Sequence, residues 1–246
     1  MHPIDSGRAR TLAAFAVAGQ VAFTLGWIVT GALEGHGYSS AVHDISDLGA
    51  LTAHYPWITF SGQAVAAVAT AVFAIALLRP ALAIPGKRGA LAPWLLLLSL
   101  MVLDNVSDIF FRLDCRAADA GCTEAVRTAS TSAQIHMSVA AFAGVVTLIV
   151  PFVFAARFRK HREFRTAFWP VILIGVTQIA ALGLYISLDQ QWGQGYAQRA
   201  LALLVAVGIT ALAVYTARRM TSPGADAGTV ALSTSDCAKA LAPGNV

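Results

Sequence analysis

Charged side chains are scarce in this chain of 246 residues. Asp, Glu, Lys and Arg make up 12% of it and apolar residues 57%, whereas roughly a quarter of the residues in soluble domains are charged. The mean hydropathy is correspondingly high, at +0.66. So few charges cannot cover a soluble globule, which excludes an ordinary soluble enzyme, a disordered polar protein and a nucleic-acid binder. The composition predicts a polytopic membrane protein.

Cofactor motifs are missing as well. The sequence contains no glycine-rich phosphate loop and no C-x-x-C-H haem attachment motif. It therefore gives no basis for a nucleotide, NAD or haem cofactor. The cofactor stays unknown from the sequence, and zinc enters only under a hydrolase hypothesis.

Six apolar segments are long enough to cross a membrane, since a helix needs about 20 such residues to span the bilayer core. They cover residues 11–32, 57–78, 91–111, 133–155, 166–188 and 196–217. We therefore predict an all-α bundle of six transmembrane helices over residues 11–218. Residues 1–10 form a cytoplasmic N-terminus, and residues 219–246 form a disordered cytoplasmic tail rich in Ser, Thr, Gly, Ala and Pro.

Basic residues are divided unequally between the two sides of the predicted bundle. Of the 17 Lys and Arg residues, all but four lie in the N-terminal segment, in the loops after spans two and four, or in the tail. The four on the other side are Arg112, Arg116, Arg127 and Arg199. By the positive-inside rule, both termini are cytoplasmic and the protein is a multi-pass component of the plasma membrane. Its general partner is then the lipid bilayer.

The cysteines fit this orientation. Cys115 and Cys122 share the short loop between spans three and four, on the outer side, where an oxidising compartment preserves disulfides. We predict a Cys115–Cys122 disulfide. A metal pair is the weaker alternative, because six intervening residues do not match a C-x₂₋₄-C spacing. Cys237, in the cytoplasmic tail, is expected to be a free thiol.

Ionisable residues inside the spans are costly in hydrocarbon and usually face a protein interior or a cavity. Asp104, Asp108 and Arg112 follow one another at intervals of four residues on span three, which places them on one helix face and allows Arg112 to pair with Asp108. His136 opens span four on a face of small residues, and Arg199 opens span six. These groups either line a shared cavity or form interhelical salt bridges that fix packing.

The long loop between spans one and two is polar and then apolar. A serine at position 39 or 40 can cap a short extracytoplasmic helix that Gly49 ends. On this helix His43, Ser46 and Asp47 would share one face. The segment is expected to act as a lid over the bundle mouth, and the alternative is a capping helix whose charges face water.

Several of these segments together resemble one known family. In chain order, the matching residues are Tyr38-Ser39, Ile45-Ser46-Asp47-Leu48-Gly49-Ala50, Asp104, Asp108, His136, Gly195 and Gln198-Arg199. In this pattern the chain resembles the bacterial and archaeal membrane-protein family catalogued as domain-of-unknown-function family 998, over roughly residues 11–218. The resemblance implies a fold and a topology and leaves the activity open.

Three functions are compatible with these observations, and the first needs the fewest exact distances. The first is binding or transport of a small molecule, ion or lipid in an outward-facing cavity. Its expected binding residues are Asp104, Asp108, Arg112, His136 and Arg199, with His43 and Asp47 contributed by the lid. Against transport, the sequence shows no discontinuous helix and no inverted repeat. A third possibility is a structural or assembly subunit whose polar residues only hold the bundle together.

The second hypothesis is an intramembrane metal-dependent hydrolase acting on a lipid or lipid-linked substrate. Its catalytic candidates are Ser46, Asp104 and His136, and its zinc-ligand candidates are His43, His136 and Asp108. The residue types are similar to those of alkaline-ceramidase-like and adiponectin-receptor-like membrane hydrolases. Those proteins have seven spans and an H-x-x-x-H motif, whereas this chain has six predicted spans and no such motif.

Overall fold

The fold is that of a helical membrane protein, described here by a computed structural model over residues 5–35, 37–83, 90–160, 162–188 and 191–221. All regular secondary structure in this part of the chain is helical. Six helical segments are long and apolar enough to span a membrane, as predicted: Ser6–Leu33, Pro56–Ala81, Ala92–Phe110, Thr131–Lys160, Arg162–Leu188 and Gln194–Thr221. We call them span one to span six.

Several spans extend beyond their predicted ends. Span one begins within the predicted N-terminal segment, and span six continues to Thr221, so the first three residues of the predicted tail are helical. Spans two, three and five contain other helix types. Span two comprises an α-helix Pro56–Phe73, a π-helical turn Ala74–Leu78 and a last turn Arg79–Ala81, and span five opens with a 3₁₀ turn Arg162–Ala167 before its α-helix Phe168–Leu188. The rest of the predicted tail, residues 222–246 with Cys237, lies outside the described residues.

The six spans form a ring. Each span packs against the next along the chain, and span six returns to contact span one. Small residues allow the closest approach, between spans one and two. A Cβ added at Gly62 would lie 2.7 Å from the Ala22 carbonyl oxygen, and one added at Gly19 would lie 2.6 Å from the Ala69 Cβ.

Span three is broken, contrary to the expectation that the chain has no discontinuous helix. Its first helix is Ala92–Leu97, Ser99 is extended (φ −82°, ψ 171°), and a π-helical turn Leu100–Asp104 leads into a second helix Asn105–Phe110. The break exposes backbone groups, which need partners at membrane depth. The Leu100 N–H donates to Thr147 Oγ1 of span four at 2.9 Å.

Two loops cover one end of the ring, which we call the cap end. The first cap loop is residues 34–55, apart from residue 36, and the second cap loop is residues 111–130. The predicted Cys115–Cys122 disulfide is present in the second loop, with Cα atoms 6.1 Å apart. The predicted helix of the first loop is only a 3₁₀ turn, Ser46–Gly49. It is shorter than expected because residues 39–43 form a separate turn, in which His43 N–H donates to the Ser39 carbonyl.

Arg112 holds the first cap loop through backbone carbonyls. Its Nε donates to the Gly49 oxygen at 2.7 Å and its Nη2 to the Ala50 oxygen at 2.6 Å. The predicted Arg112–Asp108 ion pair is therefore wrong. The α-helix of span three ends at Phe110, so Arg112 leaves the helix face that carries Asp108 and reaches the loop instead.

Arg199 holds the same loop from span six. Its Nη1 donates to the carbonyl oxygens of Ser40 and His43, at 2.9 and 2.8 Å, and its Nη2 donates to the Tyr38 hydroxyl. The loop lies so close to the span that a Cβ added at Gly195 would be 2.6 Å from both carbonyl oxygens. This contact gives a physical reason for a glycine at position 195.

Two arginines of the second cap loop pair with buried carboxylates of the first. Arg116 Nη1 lies 2.7 Å from Glu34 Oε1, and Arg127 Nη2 lies 2.9 Å from Asp47 Oδ1. Glu34 and Asp47 are almost completely buried. All four arginines predicted on this side of the membrane thus hold the first cap loop in place.

The Arg116–Glu34 pair yields a stability prediction. Replacing Arg116 by Met removes the arginine partner of the buried Glu34 carboxylate and leaves it only its contacts with His54. Breaking a buried pair in this way costs about 3–5 kcal/mol. We expect a clear fall in the melting temperature of R116M in detergent. The double variant R116M/E34Q should recover part of the loss, because the uncompensated charge is removed. A single variant that melts like the wild type would contradict this role for the pair.

Candidate ligand cavity

The ring encloses a cavity of about 890 Å³ beneath the first cap loop. Small-molecule sites in proteins occupy roughly 300–1,000 Å³. The cavity brings together six of the residues predicted from the sequence: His43, Ser46, Asp47, Asp104, Asp108 and His136. Arg112 and Arg199 do not line it, because their guanidinium groups bind the cap loop.

Asp108 and His136 meet at the centre of the polar part of the cavity. His136 Nδ1 lies 3.0 Å from Asp108 Oδ1 and 3.2 Å from the Phe111 carbonyl oxygen. Gln63 Nε2 of span two donates to Asp108 Oδ2 at 2.8 Å. The His136 contact has the distance of an ion pair but not the angle of a hydrogen bond, so Asp108 Oδ1 retains acceptor capacity. Spans two, three and four are joined here by polar groups.

Oxygen atoms without hydrogen-bond partners surround the cavity. Among the described residues, five lining side chains each have a buried oxygen that accepts no hydrogen bond: Asp44 Oδ1, Asp47 Oδ2, Gln63 Oε1, Asp104 Oδ1 and Asp108 Oδ1. Buried polar atoms are nearly always hydrogen-bonded, and leaving one unsatisfied costs about 1–3 kcal/mol. Such a concentration around one cavity indicates that the cavity is built to receive hydrogen-bond donors.

The charges of the lining residues are unbalanced. Five carboxylic side chains line the described part of the cavity: Asp44, Asp47, Asp104, Asp108 and Glu124. Arg127 is the one arginine or lysine among its described lining residues. Burial opposes the charge of Arg127, but Asp47 and the other nearby carboxylates outweigh burial and raise its pKa. Arg127 lies within 4 Å of carboxylate oxygens of Asp44, Asp47 and Glu124. The carboxyl groups that this arginine does not reach, those of Asp104 and Asp108, give the deeper part of the cavity an acidic character.

Asp44 connects the first cap loop to span five. The Tyr185 hydroxyl donates to Asp44 Oδ2 at 2.9 Å. Burial raises the pKa of Asp44 above the usual carboxyl value, although the hydrogen bond from Tyr185 opposes the shift. Burial also lowers the pKa of the neighbouring His43, whose Nδ1 accepts a hydrogen bond from the Ser39 N–H at 2.8 Å. The outer wall of the cavity therefore favours neutral forms of both groups.

The predicted zinc ligands do not form a site. In the part of the chain that the structure describes, no three His, Cys, Asp or Glu side chains lie close enough together to hold a metal ion. His136 and Asp108 are in contact, but His43 is not joined to them. Ser46 Oγ is 3.5 Å from Arg127 Nη2, and no described histidine or carboxylate lies within hydrogen-bond distance of it to act as a base.

Several lining residues were missed from the sequence. Asp44 was not predicted as a site residue, although it lies beside His43. Asn105 was not predicted either, although it directly follows Asp104. In a membrane protein, a polar residue next to a candidate site residue is a sequence signal that could have identified both of these residues. Arg127 had no such signal as a cavity residue, because its partner Asp47 is 80 residues away in the chain.

The raised pKa of Asp44 predicts a pH-dependent stability difference. Asp44→Asn keeps an acceptor for Tyr185 and removes the charge. Because the pKa is raised in the folded state, the favourable contribution of the wild-type carboxyl is fully present below about pH 4 and is lost as the pH rises through the folded-state value. We expect D44N to melt at a higher temperature than the wild type at neutral pH and at the same temperature near pH 4.

The measurement is a series of thermal unfolding curves in detergent, with Asp5→Asn as the control for an exposed carboxyl group. The difference in melting temperature between D5N and the wild type should be the same at neutral pH and near pH 4. A D44N protein that is less stable than the wild type at neutral pH would show that the negative charge itself stabilises the cap.

Comparisons with known proteins identify a family but name no activity. No curated protein and no solved structure matches the chain. A family model described as "Protein of unknown function (DUF998)" matches residues 17–232, which include all of spans two to six and most of span one. The chain therefore belongs to this family of proteins of unknown function.

Proposed function

We propose that the protein binds or transports a small molecule or ion that carries positive charge or several hydrogen-bond donors. The observation that supports the proposal most strongly is the set of five buried acceptor oxygens without partners around one cavity. A bound cation or donor group would satisfy these atoms and offset the cost of burying them.

The distribution of arginines favours a cationic ligand over an anionic one. Arg112 and Arg199 bind carbonyl oxygens of the first cap loop, and Arg116 binds Glu34. These guanidinium groups are therefore committed to the protein itself. The carboxyl group of Asp104 has no ion-pair partner among the described residues, which leaves it to a ligand. Asp108 has no arginine or lysine partner among them and contacts only His136 and Gln63.

The break in span three supports a binding or transport role. Irregular backbone at membrane depth is tolerated where it is buried in protein or lines a cavity, and transporters place such breaks at their binding sites. Leu100 and Met101, directly after the break, line the cavity, as does Thr147, which accepts the Leu100 hydrogen bond. The same segment leads to Asp104, so a ligand at the carboxyl group is next to a bend in the helix.

The proposal includes an orientation in the membrane. With the cap end outside a bacterial plasma membrane, the four arginines that hold the cap are external, and the basic-rich loops and both termini are cytoplasmic. The Cys115–Cys122 disulfide then faces the compartment in which disulfides persist. The cavity beneath the cap opens outwards.

Ligand binding is testable with simple cations. Detergent-purified protein is mixed with butylamine, tetramethylammonium or sodium, and with butyrate as the anionic counterpart, and its melting temperature is recorded. A ligand that binds only the folded state raises the melting temperature in proportion to its occupancy. We expect stabilisation by at least one cation and none by butyrate. Stabilisation by butyrate alone would contradict the acidic character assigned to the cavity.

Asp104→Asn tests the carboxyl group directly. Removing one partner of a buried charge pair costs at least about 2 kcal/mol, so we expect roughly 30-fold weaker cation binding. Glu163→Gln is the matched control, because Glu163 is an exposed acid at the opposite end of the bundle. If D104N is destabilised yet binds the cation with unchanged affinity, Asp104 serves packing, as expected of a structural subunit.

Orientation is testable through the cysteines. Cys237, which lies outside the described residues, should react with a membrane-impermeant maleimide only after cells are permeabilised. Cys115 and Cys122 should react in intact cells, but only after reduction of their disulfide. Labelling of Cys237 in intact cells would reverse the orientation.

A further inference from the structure

The lining of the cavity changes from polar to apolar with depth. On span three, Asp104 lies closer to the cap end than Met101, and on span six Gln198 lies closer to it than Val205. The same order holds on span four, where His136 near the cap is followed by Leu148 far below it. Thr147 also lines the cavity at this depth, but its hydroxyl is already bonded to the Leu100 N–H and the Ala143 carbonyl. A small hydrophilic cation would use only the upper part of this cavity. The lower part suits a hydrocarbon chain.

The depth of the cavity matches one leaflet of a bilayer. His136 and Leu148 are 12 positions apart on a continuous helix, which corresponds to roughly 18 Å along its axis. The hydrocarbon core of a bilayer is about 30 Å thick, so one leaflet accounts for about 15 Å. The cavity is therefore long enough for a chain that lies parallel to the surrounding lipid.

The wall of the cavity is open towards lipid on span four. Met137 and Val145 both line the cavity, and they are 40% and 58% exposed. Ala141, midway between them on the same face, is also exposed and also lines the cavity. A Cβ added at Gly144 would meet no atom within 4 Å. Residues that are both cavity-lining and outwardly exposed mark the rim of a side opening between spans four and five.

Span five closes this side only weakly. In an 18-residue apolar stretch of each span, 11% of the residues are buried in span five, against 39–50% in the other five spans. It packs closely at its midpoint, where a Cβ added at Gly175 would lie 2.9 Å from the Phe152 ring. Towards the cap, Leu182 and Tyr185 are only half-buried. The hydrogen bond from Tyr185 to Asp44 ties this end of the span to the cap loop.

We propose that the ligand is a membrane amphiphile with an amine or similarly donor-rich head group, which enters sideways between spans four and five. The head group occupies the acceptor oxygens of Asp104 and Asp108, and the chain lies along the apolar lower wall. This inference rests on the proposed function, because it assigns the ligand class of the same cavity. The Tyr185–Asp44 bond closes the opening at its upper edge.

The test compares two primary amines in protein reconstituted into phosphatidylcholine nanodiscs. Butylamine reaches the carboxyl groups through water and reports the head-group site. A dodecylamine carrying a diazirine at its chain end reports the chain site by photo-crosslinking. We expect crosslinks on the rim and lower wall of the cavity, between Met137 and Leu148 on span four.

Gly144→Trp fills the side opening, and Gly183→Trp is its matched control. Both glycines accept a Cβ without contact, but only Gly144 lines the cavity. We expect G144W to lose about tenfold or more of the crosslinking yield, as overpacking of a site does, while G183W labels like the wild type. Butylamine should bind all three proteins equally, which also shows that the variants fold. If G144W does not fold, Ala141→Phe at the same rim replaces it.

Each outcome bears on one of the two proposals. Equal crosslinking of G144W and the wild type, with butylamine still bound, overturns sideways entry and leaves the head-group site intact. Butylamine binding without any chain crosslink overturns the amphiphile and leaves a small-cation site. Failure of both amines to bind the wild type, together with failure of sodium and tetramethylammonium to stabilise it, overturns the proposed function itself.

Discussion

The organisation of the cap end depends on the pairing of arginines with the first cap loop. Two guanidinium groups bind its carbonyl oxygens and two bind its buried carboxylates. The positive charge on this side of the membrane is thereby used to fold the loop. The carboxyl groups deeper in the ring are left without arginine partners. The same set of interactions therefore holds the first cap loop over the cavity and determines the acidic character of the cavity.

The six spans could be predicted from the sequence because a bilayer requires a minimum length of apolar helix, and this requirement is visible residue by residue. The convergence of Asp104, Asp108 and His136 could also be predicted, since hydrocarbon excludes such groups from other positions. The break at Ser99 could not, because this span has no glycine and its proline, Pro93, lies six residues earlier at the start of the first helix. The partners of Arg112 were equally hidden, since backbone carbonyls carry no sequence signal.

Structural and binding roles share the same residues in this cavity. Asp108 joins three spans through Gln63 and His136, and in doing so it retains one oxygen that faces the cavity. Asp104 has no such network, and its Oδ1 accepts no hydrogen bond from the described residues. The two aspartates therefore differ in role even though they lie four residues apart. Asp108 mainly joins the helices, and Asp104 is the better candidate for contacting a ligand.

The anchors of the first cap loop all come from later parts of the chain. Glu34 pairs with Arg116, 82 residues later in the chain, and the Ser40 carbonyl binds Arg199, 159 residues later. During synthesis the loop is made long before its anchors exist. Glu34 and Asp47 must stay hydrated until Arg116 and Arg127 have been synthesised. Arg199 belongs to the last span, so the first cap loop is fully anchored over the cavity only when that span has been inserted.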